Sequence, residues 1–154
     1  MSAVAATPTT PHHADQRVQR VITLFEGLSA ADVPRLGTLY SPQARFKDPF
    51  NTVQGVPAIQ RIFAHMFKTL DGPHFTVLSA VAQDTDVFLT WDFSFRIRGA
   101  GARAMQIHGA SHLQLDADGL VGLHRDYWDA AEELYEKLPV VGALMRWLKR
   151  RAGG

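Results

Sequence analysis

"VFLTWDFSFRIRG", residues 87–99, alternates without a break. Val87, Leu89, Trp91, Phe93, Phe95 and Ile97 share one parity, while Asp92, Ser94, Arg96 and Arg98 fall on the other. Successive side chains of a strand point to opposite faces, so the pattern predicts a strand with one apolar and one polar face. Such a strand belongs to an antiparallel sheet that covers a core on one side and meets water on the other. Trp91, Phe93 and Phe95 then form an aromatic wall.

The neighbouring segments extend this reading. Gly99-Ala100-Gly101 turns the chain, and "AMQIHGASHLQLD" (104–116) returns as a strand with Met105, Ile107, Leu113 and Leu115 on one side. His108 and His112 take the opposite parity and are expected on the outer face. "DADG" (116–119) carries hairpin chemistry. "LVGLHRDYWD" (120–129) is the last strand. Upstream, Asp84-Thr85-Asp86 is a turn, preceded by a strand holding Phe75, Val77 and Val81. The second half is therefore four consecutive antiparallel strands.

The first half changes period. Val18, Val21, Ile22, Leu24, Phe25 and Leu28 recur at helical spacing. Ser29 is placed to cap a second short helix with Val33, Leu36, Leu39 and Tyr40, ended by Ser41-Pro42. "ARFKDPFNTVQG" (44–55) predicts a strand, a turn and a short strand closed by Gly55. Pro57 suits the first turn of a third helix carrying Ile59, Ile62, Phe63, Met66, Phe67 and Leu70, stopped at Asp71-Gly72-Pro73. Ala130–Leu138 and Val140–Arg151 read as helical, broken at Pro139.

The expected fold is α+β: a cone-shaped, curved antiparallel β-sheet wrapped by three N-terminal helices, with a C-terminal helical extension. The boundaries are a flexible tail over 1–12, the cone domain over 13–129 and the extension over 130–154. The mouth of the cone can hold a ligand.

Composition narrows the function. Hydrophobic residues make up 46% and charged residues 20%, as in an ordinary globular chain. A net charge of +1 leaves no electrostatic footprint for nucleic acid. There is no cysteine, which excludes disulfides, thiol catalysis and thiolate metal sites. The seven histidines show no ligand spacing, so no metal is expected. No signal peptide and no integral membrane segment are expected, and the cytoplasm is the default location.

Two segments carry a resemblance. "YSPQARFKDPFNTVQGVPAIQRIF" and "GASHLQLDADGLVGLHRDYWD" resemble the nuclear transport factor two-like superfamily over about Asp15 to Asp129. That group includes ketosteroid isomerases, limonene epoxide hydrolase, scytalone dehydratase and SnoaL-like polyketide cyclases. The resemblance implies the cone fold, a homodimer, an apolar pocket and chemistry without a cofactor. Asp48 in "FKDP" stands where ketosteroid isomerases hold their catalytic base. Their two oxyanion-hole positions are occupied here by Val21 and Ser111, so that constellation is incomplete; Tyr40 or Ser111 is the substitute donor. Asp126 in "HRDYWD" matches the Asp that activates water in limonene epoxide hydrolase, and SnoaL-like cyclases also use an aspartate near this strand. The hydrolase's Arg-x-Asp pair has no counterpart in "LTWDFSF".

Strand parity sorts the candidates. If Asp126 points inward, so do His124 and Trp128, while Arg125 and Tyr127 face away. Phe46, Asp48 and Phe50 share a face. The candidate catalytic residues are therefore Asp48, Asp126 and His124. The candidate substrate-binding residues are Tyr40, Phe46, Phe50, Phe63, Met66, Trp91, Phe93, Ser111 and Trp128. Each acid has a structural alternative. Asp48 before Pro49 can turn the chain through its own backbone. Asp126 can pair with Arg125 or accept from the Trp91 or Trp128 indole. His124 can be a structural hydrogen-bonding histidine. Asp129 reads as the cap of the following helix, with Glu132 as its capping-box partner.

Two functions remain open. One is a cofactor-independent isomerase, cyclase, dehydratase or hydrolase acting on a small hydrophobic ligand, with Asp48 and Asp126 carrying protons. The other is a non-catalytic ligand-binding or dimerisation module. The basic tail "ALMRWLKRRAGG" either lids the cone or meets a membrane surface, and the lid is the favoured reading.

Overall fold

The structure, a computed structural model, describes residues 13–99, 103–133 and 139–152. The expected tail over 1–12, part of the turn after Gly99 and the segment 134–138 lie outside the described residues.

Helix α1 (Gln16–Glu26) starts at Asp15, whose side chain accepts the Arg17 N–H, and buries Val18, Val21, Ile22 and Phe25 along one stripe. A 3₁₀ helix follows over Ala30–Thr38, opened by a capping box between Ser29 and Asp32. Tyr40 does not close that helix as expected. It begins strand β1 (Tyr40–Lys47), and Ser41-Pro42 sits at a register shift between Tyr40 and Arg45. A proline is tolerated at such an irregularity, because no ladder hydrogen bond is required of it there. A turn leads to β2 (Thr52–Gln54), and α2 (Val56–Thr69) carries Pro57 in its first turn, as predicted.

Strands β3 (Leu70–Gln83), β4 (Asp86–Ile97), β5 (Ala104–Leu115) and β6 (Val121–Tyr127) follow. Asp71-Gly72-Pro73 was expected as a break, yet it lies within β3, where the ladder shifts register between Asp71 and His74. A second shift between Val77 and Ser79 reverses the parity of the strand. Val81, expected on the apolar face with Phe75 and Val77, is consequently 65% exposed. Ala80 and Ala82 pack against the core instead.

The six strands form one curved, unclosed sheet in the order β2-β1-β6-β5-β4-β3. Every pairing is antiparallel except β1 with β6, which is parallel. That exception places Phe46 opposite His124 and Lys47 opposite Arg125, so the turn after β1 leaves the sheet beside Asp126. The core fills the concave side, from Val18, Ile22 and Leu36 to Leu89, Leu113 and Val121.

On the outer face His108 pairs with Asp92, and His112 pairs with Asp86 while stacking on Phe88. Arg125 lies over the Tyr127 ring on the same face. After β6, Asp129 accepts the Ala131 and Glu132 N–H groups and caps α3 (Ala130–Glu133). Helix α4 spans Pro139–Ala152. Its Leu144, Trp147 and Leu148 are exposed. Among the described residues none of α4 lines the cavity. No helix among the described residues is long and apolar enough to cross a membrane.

Candidate functional site

The concave face encloses a cavity of about 510 Å³. Phe25 reaches it from α1, Ile62, Phe63 and Met66 from α2, Phe46 from β1 and Phe75 from β3. Leu89, Trp91, Phe93, Phe95 and Ile97 of β4 supply the wall that alternation predicted. The rings organise one another. Phe75 stacks on Phe93 at 4.4 Å between centroids and meets Trp91 edge-on at 5.6 Å. Phe50 and Trp128 pack edge to face at 5.5 Å.

A hydrogen-bonded chain crosses the floor of this cavity. The Trp91 indole N–H donates to Ser111 Oγ at 2.8 Å, and Ser111 Oγ donates to Asp126 Oδ1 at 2.5 Å. From the other side, Tyr40 Oη lies 2.7 Å from His124 Nδ1, and His124 Nε2 lies 2.7 Å from the same Asp126 Oδ1. The end groups set the direction of every link. An indole N–H can only donate, so Ser111 must accept there and turn its own proton toward Asp126. Tyr40 is fully buried, and its hydroxyl proton needs an acceptor. Burial, reinforced by the charge of Asp126, pushes the Tyr40 phenol well above its ordinary range, so it keeps that proton. It donates to Nδ1, which places the ring proton of His124 on Nε2, facing the carboxylate.

Two donors thus converge on Oδ1 of Asp126. Among the described residues no hydrogen bond reaches Oδ2, and Asp126 lines the cavity. Oδ2 is the oxygen left for a ligand.

The wall depends on one glycine. Trp91 sits opposite Gly109 in the β4–β5 register. A Cβ added at Gly109 would lie 2.5 Å from the indole, far inside van der Waals contact. Only glycine lets the indole lie across β5 and reach Ser111.

Asp48 also lines the cavity. Its Oδ1 accepts from the Phe50 N–H at 2.8 Å and the Asn51 N–H at 2.6 Å, and the Asn51 side-chain amide reaches both oxygens at 3.1 Å. These are the bonds of an Asp-initiated turn. The carboxylate anchors the β1–β2 turn at the edge of the cavity.

Of the residues singled out in the sequence, Asp48, Asp126, His124, Phe46, Phe50, Phe63, Met66, Trp91, Phe93, Ser111 and Trp128 all line this cavity. Tyr40 does not. It lies in the core behind His124, because β1 carries it into the sheet, and it reaches the site through the imidazole. The substitute oxyanion donors expected from Tyr40 and Ser111 are also absent as such: the hydroxyl protons point to His124 and Asp126. Phe25, Phe75 and Asn51 line the cavity without having been singled out as ligand contacts. Their signals were present, since Phe25 belongs to the apolar stripe of α1 and Phe75 shares the parity of Val77.

A cone of curved, unclosed sheet wrapped by N-terminal helices is the fold of the nuclear transport factor two-like superfamily. Within it, the chain belongs to the SnoaL-like domain family, whose profile matches residues 21–124. It is similar in structure to a hypothetical protein with a ketosteroid isomerase-like fold from Catenulispora acidiphila DSM 44928, in complex with trimethylamine. That likeness has a TM-score of 0.68 at 18% identity, covering 79% of this chain and 92% of the other. A protein assigned to the SnoaL-like polyketide cyclases from Jannaschia sp. CCS1 has a TM-score of 0.66 at 20% identity, covering 76% and 88%. An LEH-like epoxide hydrolase of M. tuberculosis has a TM-score of 0.66 at 16% identity, covering 87% and 92%. At these identities the likeness shows the fold alone. A comparison with curated proteins found no match.

Proposed function

We propose that this protein binds a small apolar molecule in the cavity and moves a proton on it through Asp126, without a cofactor. The observation that carries this reading is the asymmetry of the Asp126 carboxylate. Ser111 and His124 hold Oδ1, which orients the group, and among the described residues no hydrogen bond engages Oδ2. A general acid–base needs such a fixed oxygen within reach of the proton it takes or returns. In this reading His124 orients Asp126, and Asp48 is a second carboxylate at the edge of the same cavity. The chemistry would be an isomerisation, cyclisation, dehydration or hydrolysis. Relatives of the same fold include an assigned polyketide cyclase and an epoxide hydrolase, and one holds trimethylamine. They support a site for small molecules.

The test is a small-molecule screen by thermal shift on wild type and Asp126→Asn, followed by turnover assays on every hit. Hits that are converted by wild type and not by the variant support the reading. Hits that stabilise both proteins equally argue against contact with Asp126.

The second reading is a non-catalytic ligand-binding module. It is favoured by the lack of a free hydroxyl donor on Ser111 or Tyr40 to stabilise an oxyanion. Tight binding of a hit with no turnover by wild type would select it.

We also propose that the outer sheet face pairs with a second copy of the chain. Val81, Phe88 and Tyr127 are exposed there, at 65%, 52% and 49%. Sedimentation as a monomer at micromolar concentration would refute the pairing.

A further inference from the structure

The cavity has a one-sided supply of polar groups. Two carboxylates line it, Asp48 and Asp126, and among the described residues no lysine or arginine does. Most of the donors that line it are already committed. The Trp91 N–H serves Ser111, the Ser111 hydroxyl and the His124 Nε2–H serve Asp126, and the Asn51 amide serves Asp48. At the rim, the Thr69 hydroxyl donates to the His65 carbonyl. The exposed imidazole of His65 and the indole N–H of Trp128 are the remaining ring donors of the lining. What the interior offers a ligand is therefore an acceptor, Oδ2 of Asp126, surrounded by π faces.

Aromatic faces are electron-rich and attract cations, most strongly where water is excluded. Phe46, Phe75, Trp91, Phe93, Phe95 and Trp128 line the cavity together with Asp126. An anion entering this space would lose its hydration beside a fixed carboxylate and, among the described residues, meet no lysine or arginine. A ligand with an N–H or positive charge meets Oδ2 and the rings together.

We infer that the cavity selects an apolar molecule carrying a protonated amine and rejects the matching carboxylate. The inference rests on the reading of this cavity as a ligand site and names the class of molecule that fits it. It concerns the sign of charge the interior accepts, which holds whether or not the bound molecule is then converted.

Three probes of one shape test it: 2-naphthylmethylamine, 2-naphthylmethanol and 2-naphthoate. Dissociation constants are measured by calorimetry at about pH 8. The amine is expected to bind about tenfold tighter than the alcohol, the size of a desolvated cation–π contact reinforced by a carboxylate, with the naphthoate weakest. Asp126→Asn should bring amine and alcohol to within about twofold of each other. Asp48→Asn should reduce the preference less, because that carboxylate lies at the edge and is saturated by its own turn. If the naphthoate binds as well as the amine, or if the preference survives Asp126→Asn, the inference is wrong while the cavity remains a ligand site. If none of the three binds at millimolar concentration, the ligand-site reading and the inference both fall. Should Asp126→Asn not fold, the wild-type ranking decides the question alone.

Discussion

Ser111 on β5 and Asp126 on β6 face each other directly in the antiparallel register and share a hydrogen bond of 2.5 Å. Register therefore builds the site, since opposed residues on one face of a sheet are brought within contact distance by the ladder itself. Leu113 sits opposite His124 in the same ladder, which keeps His124 and Asp126 on the concave face, two residues apart. A carboxylate and an imidazole at that spacing on one strand can hydrogen-bond while both face the cavity.

Ser111→Ala tests the directed chain. It removes one donor from Asp126 Oδ1 and leaves the Trp91 indole N–H without its acceptor in a buried place. An unsatisfied buried donor costs about 1–3 kcal/mol, so chemical denaturation should show a loss of that order. A loss below about 0.3 kcal/mol would mean that the indole finds another partner and the chain is not the one described.

Gly109→Ala tests the close approach under Trp91. The added methyl would overlap the indole unless the ring moves, so either the β4–β5 ladder strains or Trp91 leaves Ser111. Overpacking of this kind costs about 1–3 kcal/mol. Trp91 is one of three tryptophans, so the movement should also appear as a changed fluorescence maximum that Trp91→Phe in the wild-type background identifies. An unchanged melting curve and spectrum would show that the contact is loose.

Much of this architecture could be read from side-chain period. The β4 alternation placed Leu89, Trp91, Phe93, Phe95 and Ile97 on one face, and all five line the cavity. The parity of "HRDYWD" separated His124, Asp126 and Trp128 from Arg125 and Tyr127. What escaped the pattern has specific causes. The register shift after Val77 turned Val81 outward, and no residue type announces such a bulge. Tyr40 was assigned to a helix because Ser41-Pro42 resembles a helix stop, whereas the chain enters β1 one residue earlier. The partnership of Tyr40 with His124 spans 84 residues and depends on the parallel β1–β6 pairing, which alternation alone does not contain. The committed hydroxyls of Tyr40 and Ser111 follow from directions of hydrogen bonds, and these need coordinates.

Acid stability should depend on three half-exposed aspartates. The hydrogen bonds and charge of Arg17 lower Asp15 to about 2. Asp32 is lowered by the Ser29 side chain and backbone and then by Arg35, and Asp86 by His112 and Gln114. A carboxylate depressed in the folded state contributes stability above its unfolded value, which is lost as pH falls through the folded one. The midpoint of unfolding should therefore stay flat near neutrality with respect to these groups and decline below about pH 4. Because all three are at the surface, added salt should shrink the decline. Asp32→Asn should flatten part of it. A decline that is the same in that variant and at high salt would assign the acid response to other groups.

Tyr40 supplies the opposite limb. Its phenol is raised first by burial and then by the charge of Asp126, so the folded protein holds the proton after the unfolded chain has released it. For a group raised in the folded state, the stabilisation is complete below the unfolded value, near 10, and is lost as pH rises toward the folded one. Ultraviolet titration should show Tyr40 ionising only together with unfolding. Tyr40→Phe leaves His124 Nδ1 without its donor and should cost about 1–2 kcal/mol near neutral pH. The same variant should lose the alkaline component, so the two stability curves converge above about pH 10. Because Asp126 still holds the Nε2 proton of His124, ¹⁵N spectra of the imidazole should keep the same tautomer in the variant while the Nδ1 resonance shifts on losing its donor. Wild-type spectra that already place the proton on Nδ1 would reverse the direction of the chain and remove the basis for a saturated Oδ1.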